Sequence, residues 1–158
     1  MMKQTKTQNM ANKKSDVAAK QAYVNKLNAE GYKARITGSP ADVTAEKDGE
    51  TWYFEIKMTH QEERYFGAAT QTEWAQAFKD PDHFRFVVAI ADEADEHFRF
   101  LEYSPAEFMA FSTIPPFKVY FNIDFTGKPK KKSKREKKSV SLTEENFRRL
   151  NESYNALK

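Results

Sequence analysis

Asp42, Glu55 and Lys57 are the side chains whose types and spacing could do chemistry in this chain. The segment that carries them, PADVTAEKDGETWYFEIKM over residues 40–58, reads as a β-hairpin with Asp48-Gly49 as its two-residue turn, a dipeptide suited to consecutive positive-φ positions. That turn sets the register. Lys47 faces Glu50, Ala45 faces Trp52, Val43 faces Phe54 and Ala41 faces Ile56, so six apolar side chains fall on one side, as period-two alternation requires. On the other side Asp42 falls opposite Glu55, and Lys57 follows two residues beyond on the same face. Like charges placed directly opposite repel over a Cβ separation of about 5 Å, and a divalent cation would offset that cost. Mg²⁺ or Mn²⁺ takes hard oxygen ligands, commonly one or two carboxylates completed by water and phosphate oxygens. Lys57 could orient or help deprotonate an attacking water, or stabilise charge developing on a phosphate. Together these groups suit phosphodiester hydrolysis.

The surrounding elements must hold that hairpin. Residues 15–30 read as a helix capped by Ser15 and stopped at Gly31, with Val17, Val24 and Leu27 near one face. A short strand is expected over 32–37, broken from the hairpin by Gly38, Ser39 and Pro40. Thr70 and Glu73 have capping-box spacing, which predicts a helix to about Lys79 with Gln71 in its first turn and Trp74 and Phe78 sharing a core face. Residues 83–91 are almost continuously apolar beyond Arg85, as in a strand buried on both sides. An acidic turn over 92–96 leads to a partner strand at 98–103. Ser104 and Glu107 form a second capping box with Pro105 at the first helical position. Residues 117–125 alternate as a strand with one wet face, and a last helix over about 142–157 takes Ser141 and Glu144 as its cap. His60 and Glu63 have an H-x-x-E spacing but no third ligand, and read as exposed loop residues.

The 158 residues are 39% hydrophobic and 14% aromatic, enough to bury the core of one ordinary domain plus tails. Without cysteine, disulfides, thiolate metal sites and cysteine nucleophiles are excluded, so any metal is held mostly by oxygen. No window approaches the ~18 apolar residues of a membrane span and the start is polar, so a cytoplasmic protein without a membrane partner is expected. The net charge of +3 is segregated. Residues 1–14 carry four Lys and no acid, and read as a basic disordered tail; residues 15–126, the expected folded domain, hold 11 basic and 19 acidic residues. Residues 127–139 carry Lys128, Lys130, Lys131, Lys132, Lys134, Arg135, Lys137 and Lys138 against Glu136, and read as a disordered linker to the helix at 140–158. These cations are candidates for nucleic-acid contact, since each neutralised phosphate releases counterions; a solubilising spacer, or a nuclear address in a eukaryote, are the other readings.

Pro40-Ala41-Asp42, followed by Glu55-Ile56-Lys57 on the next strand, resembles the PD-(D/E)XK nuclease superfamily. The stretch YFEIKMTHQEERYFGAATQTEWAQAFKDPDHFRFVVAI is similar to the branch named after the C-terminal domain of the plant protein NO VEIN, in which an E-V-K strand precedes an aromatic segment, an N-E-W-like helix and an N-P-D break. The resemblance covers about residues 15–105. It implies a restriction-endonuclease-like α/β fold: an αβββαβ core with a mixed central sheet flanked by helices, followed here by the basic linker and C-terminal helix. It implies metal binding by Asp42 and Glu55, catalytic assistance by Lys57 and, as in some relatives, a glutamine opening the next helix, here Gln71. The acid that many relatives carry in the first helix has no mid-helix counterpart, because Lys20 and Gln21 stand there and only Asp16 and Glu30 lie near the ends. The expectation is a Mg²⁺- or Mn²⁺-dependent nuclease acting on DNA. Its alternative is a catalytically inactive nuclease-like module that binds nucleic acid or protein; homodimerisation stays open.

Overall fold

Twenty-four residues without glycine or proline open the described chain as α1 (Lys6–Ala29). The computed structural model describes residues 6–114, 121, 125–126 and 142–156. Helix α1 begins nine positions before Ser15 and takes in residues 6–14, which composition placed in a disordered tail; Ser15 is therefore not its cap. The Ser15 hydroxyl is buried and instead donates to Asp95 Oδ2, a partner 80 residues away. The helix ends as expected at Gly31, whose φ of +88° closes a Schellman turn: Gly31 N–H donates to Asn28 C=O at 3.2 Å and Tyr32 N–H to Leu27 C=O at 3.0 Å. Its buried stripe is Ala19, Tyr23, Val24 and Leu27, while Val17, expected on that face, is half exposed at 52%.

Four further strands and two helices follow β1 (Lys33–Ile36) in the same unit: β2 (Val43–Lys47), β3 (Glu50–Thr59), α2 (Gln71–Lys79), β4 (Phe84–Ala91), β5 (Phe98–Tyr103) and α3 (Pro105–Ala110). The strands form one mixed sheet in the order β1-β2-β3-β4-β5, antiparallel throughout except for the β3/β4 pair. A parallel pair needs a crossover, and α2 supplies it. This is the expected αβββαβ order, extended by β5 and α3. The hairpin register is the one its turn dictates, with Val43 opposite Phe54, Ala45 opposite Trp52 and Lys47 opposite Glu50. Asp48 and Gly49 have φ of +53° and +81°. A side chain at Gly49 would meet nothing within 4 Å, so Gly49→Ala carries only the left-handed backbone cost and is expected to lower stability by about 1 kcal/mol in a urea titration.

The ladder stops sooner than the sequence pattern suggests, since neither Asp42 with Glu55 nor Ala41 with Ile56 is paired. Strand β2 starts at Val43, so Asp42 stands in the bend before it rather than paired through its backbone with Glu55. Period-two alternation then separates two layers. Val43, Ala45, Phe54, Ile56, Val87 and Ala89 bury against α1. Opposite them Phe86 packs on Trp74 of α2 at a centroid distance of 4.7 Å and on Phe108 of α3 at 4.4 Å. Both capping boxes form, Thr70 with Glu73 and Ser104 with Glu107.

The chain divides into two compact units, Met1–Phe111 and Ser112–Lys158, the boundary preceding the one composition suggested at 126. Most of the strand expected over 117–125 lies outside the described residues; of its members Phe121 and Phe125 are described, both exposed and neither in a strand. In the second unit α4 (Glu144–Ala156) is capped by Thr143, whose hydroxyl accepts from Asn146 N–H at 3.1 Å; Ser141, the expected cap, lies outside the described residues. Among the described residues no helix is long and apolar enough to cross a membrane.

Candidate active site

Strand β3 turns Ile56 into the α1 core, so its neighbours Glu55 and Lys57 point to the opposite face, where β4 places Phe86 and Val88 beside them. Asp42 reaches the same place by a different route. Its backbone carbonyl accepts from Thr37 N–H at 2.9 Å, and its carboxylate Oδ2 accepts from Ile56 N–H at 3.0 Å. The side chain thus continues the hairpin where the backbone ladder has ended, and the sequence-predicted Asp42, Glu55 and Lys57 are brought together.

Glu55 is 8% exposed. Burial first, then the carboxylates of Asp42 and Glu73, push its carboxyl up to about 8, with Lys57 acting in the opposite sense. The site therefore favours a proton or a cation at Glu55 at neutral pH. Lys57 Nζ lies 3.3 Å from Glu55 Oε1 and 2.7 Å from Glu73 Oε2. Burial pulls the amine down, but its bonds and charge interactions with Glu73 and Glu55 outweigh this and raise it. Lys57 is consequently a fixed positive charge, better suited to stabilising an anion than to taking a proton.

Two members of the site escaped sequence reading. Glu73, read only as a helix cap, uses Oε2 both for its capping bond from Thr70 N–H at 2.8 Å and for Lys57. The crossover that α2 makes from β3 to β4 passes over the face bearing Glu55 and Lys57, so an acid in its first turn was the signal available. Lys20, on α1, places Nζ 2.8 Å from Asp42 Oδ1 and 2.8 Å from Asp16 Oδ2. Gln71 is the exposed first residue of α2; among the described contacts it is Glu73 that joins this helix to Lys57. The linker cations from Lys128 to Lys138 lie outside the described residues. His60 Nε2 lies 2.7 Å from Asp95 Oδ1, and Trp74 and Phe78 stack at 5.7 Å within the packed layer.

Asp42 and Glu55 are of the donor type that a hard divalent cation takes. They offer oxygens only, and the Glu55 carboxyl is raised first by burial and then by the neighbouring carboxylates. Among the described residues no group of three His, Cys, Asp or Glu could enclose a metal, so water and phosphate oxygens would complete the shell, as is usual for Mg²⁺.

Fold and site together define a mixed α/β domain with an acid–acid–lysine cluster at the end of its central hairpin. The family described as Protein NO VEIN, C-terminal, matches residues 9–101, and the chain belongs to that family. The chain matches no curated protein and no solved structure.

Proposed function

We propose that this protein is a metal-dependent nuclease of the PD-(D/E)XK type that hydrolyses phosphodiester bonds in DNA. The observation that carries the reading is Glu55, buried against Asp42 and Glu73 with the Lys57 amine 3.3 Å away. Asp42 and Glu55 would hold Mg²⁺ or Mn²⁺, which when bound supplies a Lewis acid for a phosphoryl oxygen. Lys57 contributes a positive charge whose position does not depend on the substrate, because Glu73 fixes it at 2.7 Å and the α2 cap fixes Glu73. Such a charge is worth most where negative charge develops on the phosphate. Strands β3 and β4, with Phe86, Trp74 and Phe108 packed on the same face, support these groups. The acidic charge of residues 15–126 would repel a nucleic-acid backbone, and the eight linker cations are assigned the task of holding it.

The test is plasmid cleavage with Mg²⁺ or Mn²⁺ by the full chain beside Asp42→Ala and Lys57→Ala. Each substitution is expected to slow cleavage by about 10²–10³-fold, the loss typical of removing a charge that stabilises a transition state. Equal cleavage by all three proteins would end the assignment. One observation favours a second reading, a module with a nuclease-like fold that binds without turnover: Lys20 already neutralises Asp42. That reading predicts retention of DNA in a mobility-shift assay with no cleavage in any divalent ion.

A further inference from the structure

Both oxygens of Asp42 have partners. Oδ2 accepts from Ile56 N–H, and Oδ1 faces the amine of Lys20 at 2.8 Å. The Lys20 and Asp42 side chains are only 18% and 16% exposed, so water weakens the pair little, whereas Asp16, the amine's other partner, is 43% exposed. A carboxylate oxygen can accept more than one partner, so Asp42 retains capacity for a metal. A second divalent ion at Oδ1 would stand beside the Lys20 amine, charge against charge. Sites that use two metals set them about 3.5–4 Å apart across shared oxygens, and here the outer flank of Asp42 is filled by an amine.

We propose that Lys20 is a resident cation of the site: its amine occupies the flank of Asp42 that a second ion would need, restricting the protein to one divalent ion per chain and weakening the hold on that ion. This rests on the nuclease reading above, since it concerns the same acid. Lys20 acts through Asp42 and is a positioning residue.

The experiment is a Mn²⁺ titration of the full chain, with free ion followed by electron paramagnetic resonance. The wild type is expected to take one ion. Lys20→Gln removes a unit charge in contact with a ligand and is expected to bind Mn²⁺ about tenfold or more tightly, and to take a second ion. Lys20→Arg, which keeps the charge, is expected to match the wild type. Asp16→Asn, at a half-exposed position, lets the amine rest on Asp42 alone and is expected to weaken binding. Unchanged affinity and stoichiometry in Lys20→Gln, or tighter binding in Asp16→Asn, overturns the inference while leaving the nuclease reading untouched. Absence of Mn²⁺ binding in every variant removes both. Circular dichroism of Lys20→Gln separates loss of fold from loss of the competing charge, and should it not fold, Asp16→Asn decides alone.

Discussion

Glu55→Gln is expected to stabilise the metal-free protein at pH 9, by roughly 10 °C in melting temperature, and to leave it unchanged near pH 4. An unperturbed Glu titrates at 4.5, and Glu55 in the folded chain titrates at about 8. Below the lower value the group is protonated folded and unfolded, and contributes nothing. Between the two, the unfolded chain releases a proton that the folded chain keeps, so stability falls as pH rises. Above about 8 the loss is complete, on the order of 5 kcal/mol for a gap of this size. Glutamine has no proton to lose and so escapes the fall. Thermal melts in chelator at pH 4, 7 and 9 measure the difference between the two proteins, in which the other titrating groups cancel. Parallel melting profiles would show that neither burial nor the Asp42 and Glu73 carboxylates raise the Glu55 carboxyl. Adding Mn²⁺ at pH 9 is expected to recover for the wild type what the substitution confers, and to do much less for Glu55→Gln.

Phe86→Ala is the second large effect. The ring is fully buried, stacked on Phe108 at 4.4 Å, tilted on Trp74 at 4.7 Å and edge-on to Phe84 at 5.2 Å. Truncating such a ring removes its transfer energy and leaves a cavity between sheet and helices, at a cost of about 3–5 kcal/mol. A domain of this size has about 5–15 kcal/mol in total, so the variant stands close to unfolding at 37 °C. Urea denaturation of the full chain measures the loss, and Phe86→Leu is expected to recover at least half of it. A loss under about 1 kcal/mol would mean that α2 and α3 do not depend on this contact. The same substitution has a functional side: α2 carries Glu73, and loosening it loosens Lys57.

The parts of this molecule that sequence reading recovered are those set by local chemistry. Asp48-Gly49 admits one hairpin register, and that register delivered Glu55, Lys57 and the buried face of β2 and β3. Thr70 with Glu73, and Ser104 with Glu107, announced two helices because each cap is complete within four residues. What was lost depends on distant partners. Ser15 has the residue type of a cap, yet its hydroxyl serves Asp95 across the fold, and nothing local among the polar residues of 6–14 distinguishes a helix from a tail. Lys20 and Glu73 enter the site only because α1 and α2 pack where they do. At α4 the sequence offers two hydroxyls within one turn, Ser141 and Thr143, with nothing local to say that Thr143 meets Asn146 N–H.

The β4–β5 hairpin contributes no side chain to the cluster, yet it splints the helix that does. Asp95, with φ of +57° in its turn, grips Ser15, while Glu102 on β5 takes the Tyr23 hydroxyl at 2.7 Å and Lys26 at 3.1 Å. Lys20 sits between those two clamps. Lengthening the turn over 92–97 would therefore release α1 at Ser15, on the Lys20 side of the helix, from a loop that makes no contact with Asp42.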